Sequence, residues 1–385
     1  MSVTLYGIGA YCCRHRGLVA GIWLAVLLAG CVVVPRLGLD PGALALPSIL
    51  ALVVAVDYGS RILAALRDDP SPDRNEAIAR AMGAAGPSVI CAAMAVFPPM
   101  PQLAMTGQDF LVTAGLTAFA VVLVAMIAAI TLVPALLAFT TPRSARRAPA
   151  ESRWVAFVMS HPVPVLATGT ALLAVMALGL GHLRLAPAET GFLPLYLVLM
   201  LMLTYQHLAM AFRSVLLAII SVAGYLLSIA AMLGILAVVV SLGDDRAHPL
   251  LPVIAIIVVF GVAMNHQIFL GAAIRSALAE GLAPEAALRT GFARSRPVMA
   301  VSALVLTVVS LVLGAGGKPL TGMLGPGIAA GVLLDVFLVR MTLMPAVLTL
   351  LGPRVWWLPR PLERTLALDF DLESGKLRDR LRTYP

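Results

Sequence analysis

Long apolar runs separated by short polar connectors fill the chain from residue 17 to residue 351. The runs show neither the period-2 alternation of strands nor the narrow stripe of surface helices. A spanning helix needs roughly 20 apolar residues, because about 30 Å of hydrocarbon must be crossed at 1.5 Å per residue. Backbone groups must then be satisfied within the segment, which favours helices. A transmembrane barrel would instead show alternating segments of about ten residues. Ten spans are predicted, near 17–35, 43–66, 87–105, 110–139, 162–182, 193–212, 215–242, 250–274, 297–315 and 325–351. Pro98, Pro99 and Pro101 should end the third near Val96 and lead into an irregular loop.

Composition agrees with the pattern. The 385 residues are 61% hydrophobic and 12% charged, where soluble domains are about a quarter charged. The net charge of +8 comes with no basic-aromatic interleaving, so no nucleic-acid partner is expected. With the N-terminus inside, the inner connectors hold 14 Lys/Arg, the outer loops four (Arg36, Arg184, Arg246 and Lys318), and the tail from Gly352 seven more, also inside. This is the asymmetry of the positive-inside rule. The expected localisation is a bacterial inner (plasma) membrane, multi-pass, with both termini cytoplasmic. Leu28-Ala29-Gly30-Cys31 after a basic start also resembles a lipoprotein signal, but nine further spans favour a first spanning helix. Adjacent Cys12 and Cys13 suggest a reducing side, with acylation the weaker reading.

The chain repeats itself. Asp57-Tyr58 pairs with Asn265-His266, Glu76-Ala77 with Glu285-Ala286, Pro87 with Pro297, and Val133-Pro134-Ala135 with Met344-Pro345-Ala346, at offsets of 208, 209, 210 and 211. Pro87 and Pro297 should each open a span. Duplicated halves are a common plan for transporters, with sites near the midplane. From His15 to Asp57 is 42 residues, but from His161 to Asn265 it is 104, so the first half is short by two spans. The divisions are 1–157 for a first half of about four spans, 158–351 for a second of about six, and 352–385 for a basic cytoplasmic tail.

Several short pieces, in order, resemble the MMPL branch of the RND transporters: Val56-Asp57-Tyr58 with Arg67-Asp68-Asp69, Phe212-Arg213-Ser214, Leu334-Asp335 with Val339-Arg340-Met341, Trp356-Trp357-Leu358-Pro359, and Leu368-Asp369-Phe370-Asp371-Leu372-Glu373. The resemblance implies proton-driven export of lipids or other hydrophobic molecules. It also implies twelve helices and two large extracytoplasmic domains. Here only residues 36–42 and 183–192 stand where those domains should be. The expected fold is therefore an all-α polytopic membrane protein of about ten transmembrane helices, in two pseudo-repeated halves that lack the outer domains.

Ionisable groups inside a bilayer are costly and mark function by default. Asp57, Arg61, His266, Asp335 and Arg340 are the candidates. The resemblance implies an Asp-Tyr pair in each half as proton relay. Asp57 and Tyr58 keep theirs, while Asn265 and His266 replace the second. Asn cannot titrate; His can, near neutral pH, so Asp57 and His266 could exchange one proton. Against this, Arg61 falls one turn after Asp57 on the same helical face and would hold it ionised. Asp335 and Arg340, five residues apart, should point about 140° away from each other on an α-helix. They are ranked lower, with separate partners or with Arg340 reaching the membrane surface.

No nucleophile-base set, paired catalytic carboxylates, Walker motif or metal-ligand cluster is present, so neither enzyme activity nor a cofactor or metal is expected. Two functional readings follow. One is a proton-coupled transporter of a lipid-like substrate. The other is a non-transporting scaffold or lipid-sensing subunit that keeps the fold. Expected partners are membrane lipids, protons, and a homo-oligomer or helper subunit covering the short half.

Overall fold

The computed structural model describes residues 1–36, 41–69, 71–140, 152–182, 193–242, 251–315 and 319–359. Helices account for the regular structure, and no strand occurs among the described residues. Among the described residues, eight helices are long and apolar enough to cross a membrane, or nine if one bent pair counts as a span. That confirms a polytopic helical protein without fixing the count at ten. The expected span 43–66 lies in a helix whose side chains are described only from Val54 onward.

The described residues divide into two compact units, within Met1–Pro149 and Ala150–Leu368. In the first, α1 (Ser2–Arg14) meets α2 (Arg16–Arg36) at 91°. Residues 1–16, read from sequence as the first inside segment, are thus mostly an amphipathic helix. Its Leu5, Cys12 and Cys13 are buried, and Gly9 lets it approach Met82 closely. The two thiols are packed in apolar clusters. α3 (Pro41–Asp68) packs on α4 (Arg74–Val96) and α5 (Asp109–Thr140), and α2 rests on α5. Asp73 caps α4 by accepting from the Asn75 amide at 3.2 Å, which satisfies one of the unpaired donors at the helix start.

α4 ends at Val96, but no irregular loop follows. Pro98 is the N-cap of a short helical turn, Pro99–Gln102, which holds Pro99 and Pro101 and leads into a 3-10 turn, Leu103–Thr106, that closes at Gly107 with φ 67°. Proline is tolerated in the first turn of a helix, where its missing N–H has no partner to lose.

The second unit opens with α6 (Arg153–Ser160) and α7 (Pro162–Ala177), the latter extended by a 3-10 turn to His182. α8 (Leu193–Phe212) and α9 (Val215–Leu242) follow. α10 (Leu251–Ala279) is buried along almost its whole length and forms the centre. α11 (Pro284–Ala315) and α12 (Pro319–Leu333) pack on it. α12 runs on through a π-helical segment, Leu334–Leu343, into α13 (Met344–Leu351).

The repeat survives in detail. α1 and α6 are both short helices that end at a histidine. His15 stacks on Tyr11 with centroids 4.4 Å apart, and His161 on Phe157 at 5.0 Å. Pro87 and Pro297 lie inside α4 and α11, at matching places, rather than opening spans. In each helix a polar first turn precedes the apolar run, so the helix begins well before the hydropathy does. The two spans that the second half has in excess are α8 and α9. α9 packs along α7, with Gly234 set against the Met176 carbonyl; α2, the matching helix of the first unit, has no such neighbour among the described residues.

Small residues allow helix backbones to approach in membranes, where apolar burial alone gives little preference for another helix over lipid. Gly234→Ala should therefore lower stability by roughly 1–3 kcal/mol through overpacking, measured as a lower midpoint of thermal unfolding in detergent. Gly7→Ala, where no atom lies within 4 Å of the added methyl, should leave the midpoint unchanged.

Candidate functional site

The buried face of α3 carries Val54, Asp57, Tyr58 and Ile62, all at 0% exposure. The spacing of three and four residues places them on one stripe. Arg61 follows Asp57 by one turn, is partly buried, and lies within electrostatic range of its charge. The first unit thus holds a carboxylate, a phenol and a guanidinium together on one helix.

In the second unit Asn265, His266 and Gln267 are consecutive and buried on α10. His266 Nε2 lies 2.9 Å from the Ser302 hydroxyl of α11. That hydroxyl is also 3.1 Å from the Val298 carbonyl and 3.3 Å from that of Met299. A hydroxyl has one proton. Spent on a backbone carbonyl, it leaves Ser302 as acceptor and His266 Nε2–H as donor.

Asp335 and Arg340 overturn the expectation drawn from sequence. They form an ion pair, Arg340 Nε donating to Asp335 Oδ2 at 3.1 Å, with side chains 1% and 0% exposed. The reason is the π-helical segment. Bonds from residue i to i+5 put one more residue in each turn, so side chains five apart share a face. Thr342 shows the same register, its hydroxyl donating to the Phe337 carbonyl five residues back at 2.8 Å. Neither charge needs a remote partner, and Arg340 does not reach the surface.

Two further residues, not singled out from sequence, complete the cluster. Gln267 Oε1 accepts from Arg340 Nη1, and Ser228 on α9 donates to Asp335 Oδ1 at 3.2 Å. The cluster therefore ties the π segment to α9 and α10. Gln267 was legible as a polar residue beside His266; Ser228 carried no signal of its own. Asp57, Tyr58 and Arg61 belong to one unit, and Asn265, His266, Asp335 and Arg340 to the other.

Other landmarks also meet. Arg213 adopts φ 48° in the turn between α8 and α9. Arg275 donates to the Phe212 carbonyl and sits 5.8 Å over the Trp356 ring. Ser214 donates to the Val355 carbonyl and caps α9 by accepting from the Leu217 amide at 3.0 Å. Phe212-Arg213-Ser214 and Trp356 are thus parts of one fastening. Residues 368–373 and Lys318 lie outside the described residues.

Residues 18–165 and 184–368 match the MMPL family. The chain belongs to that family. It is 23% identical to the membrane protein YdfJ of Bacillus subtilis, over 87% of this chain and 66% of that one. It is 31% identical to the mycolic acid-containing lipids exporter MmpL11 of Mycolicibacterium smegmatis over 48% of this chain. With the trehalose monomycolate exporter MmpL3 of Mycobacterium tuberculosis the figures are 32% and 44%. The chain spans about two thirds of the length of YdfJ and about a fifth of the two mycobacterial proteins. Its fold is similar to that of SecDF, a translocon-associated membrane protein from Thermus thermophilus. The TM-score is 0.65 at 13% identity, over 91% of this chain and 62% of SecDF. The MMPL chain is thus a shortened, multi-pass membrane protein.

Breaking a buried ion pair leaves one charge uncompensated and typically costs about 3–5 kcal/mol, more than replacing both partners. Asp335→Asn and Arg340→Gln should each destabilise the protein in that range. The double variant should be more stable than either single, as read from chemical unfolding in detergent.

Proposed function

We propose that the chain is a membrane transporter of a lipid or other hydrophobic molecule, driven by protons exchanged at buried carboxylates. The observation that carries this reading is the complete burial of Asp57 beside Tyr58 on α3, within residues 43–66, which their hydropathy marks as a span. A carboxylate there is costly to keep, and a family of transporters supplies a use for it. The second unit lacks a carboxylate at Asn265, yet it has Asp335, equally buried and paired with a guanidinium. Each unit so carries an acid and an arginine on one helix: Asp57 with Arg61 four residues on, within electrostatic range, and Asp335 ion-paired with Arg340 five residues on. His266 offers a third group that can gain or lose a proton.

The named exporters MmpL3 and MmpL11 support a lipid-like substrate. The proposed setting is a bacterial inner membrane, with both termini cytoplasmic, as the charge asymmetry favours. The divisions at residues 157 and 351 belong to the same reading.

A second reading has its own support. Arg61 places an opposite charge one turn from Asp57, and Asn265 has no proton to exchange. A chain so arranged would serve as a scaffold or lipid-sensing subunit. Infrared difference spectra of the protein in lipid, taken between mildly acidic and mildly alkaline buffer, separate the two. The transporter reading expects a protonated-carboxyl band that changes with pH and is missing in Asp57→Asn. If wild type and Asp57→Asn give the same difference spectrum, Asp57 does not exchange protons and the scaffold reading stands.

The proposal includes self-association through the first unit, where α2 lacks the neighbour that α9 provides for α7. Leu24, Leu27 and Leu28 are about 60% exposed on that helix. Leu24→Cys should crosslink to a dimer in native membranes under oxidation, and monomer alone would count against it.

A further inference from the structure

The right-angle elbow of the first unit encloses two adjoining cavities of opposite character. The first, about 640 Å³, lies in the inner angle between α1 and α2. One wall is the α1 stripe Thr4, Gly7, Ile8 and Tyr11. The other is the α2 stripe Val19, Ile22, Trp23 and Val26. Both have the spacing of a single helical face, and the two faces converge without filling the angle. Ile127 and Thr131 of α5 form the floor, where Trp23 Nε1 donates to the Thr131 hydroxyl at 3.0 Å. The lining is almost wholly apolar, and Ile22 remains 55% exposed. With α2 crossing the bilayer, α1 lies flat at its edge, and this groove opens to the acyl chains of one leaflet.

The second cavity, about 720 Å³, begins on the other side of Tyr11, which lines both. Its walls carry Arg14, His15 and Arg16 on one side and Asp73, Asn75 and Glu76 on the other. The acids are largely engaged. Glu76 accepts from Arg80 at 2.8 Å and from the Tyr6 hydroxyl at 2.7 Å. Asp73 caps α4, and its neighbour Arg74 donates to the Leu137 carbonyl at 2.6 Å. Arg16 donates to the Ala138 carbonyl at 2.7 Å and lies over Phe139, while Arg14 is exposed in the last turn of α1. The lining arginines and carboxylates balance two to two, and Arg80, paired with Glu76, tips the elbow to a net positive charge.

We propose that this elbow binds one anionic phospholipid, its acyl chain in the α1–α2 groove and its phosphate against Arg14 and Arg16. An apolar slot alone would suit any chain. The arginines of the adjoining cleft select the headgroup, because an arginine near the membrane surface favours anionic lipid by about 1 kcal/mol, or about fivefold. The groove lies within the range of roughly 300–1,000 Å³ typical of ligand sites. The site is separate from Asp57 and from the buried groups of the second unit, so its test does not depend on transport.

Trp23 reports on the groove. The full chain is reconstituted in phosphatidylcholine vesicles containing a small fraction of either phosphatidylglycerol or phosphatidylcholine with brominated acyl chains. The Trp23 signal is the fluorescence lost between wild type and Trp23→Phe. Brominated phosphatidylglycerol should quench it at a mole fraction lower by about fivefold per arginine. Arg14→Gln should reduce that preference about fivefold, and Arg14→Gln with Arg16→Gln should abolish it. Gly7→Leu, placed where there is free space, should weaken quenching by both lipids. Equal quenching by the two headgroups, quenching indifferent to Gly7→Leu, or Trp23 shielded from both lipids in a self-associated protein would each overturn the proposal. A normal elution profile and helical circular dichroism for each variant establish that loss of quenching is not loss of fold.

Discussion

A bilayer interior supplies no hydrogen bonds, so a charge placed there must find its partner inside the protein. The Asp335–Arg340 pair meets that demand in the second unit, and much of the surrounding structure follows from it. Both side chains are fully enclosed. Gln267 and Ser228 supply further hydrogen bonds, and through them α9 and α10 are fixed to the π segment. A buried ion pair is weak evidence of net stability, since desolvation offsets much of the attraction. Its effect here is on arrangement: helices that carry the four groups must come together in one register.

The architecture was readable because membrane helices announce themselves by uninterrupted hydropathy. The repeat was readable because proline, charge and polar pairs recur at nearly constant offsets. Boundaries were less legible. α4 and α11 start in polar turns at Arg74 and Pro284, ahead of Pro87 and Pro297, because a helix can continue beyond the hydrocarbon where hydropathy falls silent. α1 was missed for a related reason. Thirteen residues ending in Arg14 are too short to span and were read only as an inside segment; packing on α4 shows them to be a helix.

Among the site residues, Asp57, Tyr58, Asn265 and His266 stood out as polar groups in apolar runs, and the structure buries all four. The pairing of Asp335 with Arg340 was not legible. Periodicity arguments assume 3.6 residues per turn, and no feature of Leu334–Leu343 declares a wider one. Ser302, the partner of His266, is one of several serines on its helix and gave no reason to be preferred.

The two units hold an acid and an arginine at separations that differ by one residue, four in α3 and five in the π segment. An extra residue in a helix is also a rotation. Each residue advances an α-helix by about 100°, so the widened turn sets the angular phase of α13 and Trp356 relative to α12. Trp356 reaches Arg275, and Val355 reaches Ser214, because that phase is what it is. In genetic terms, one codon between Gly331 and Met344 acts as a dial for the orientation of everything downstream. Losing it would turn everything downstream to face elsewhere.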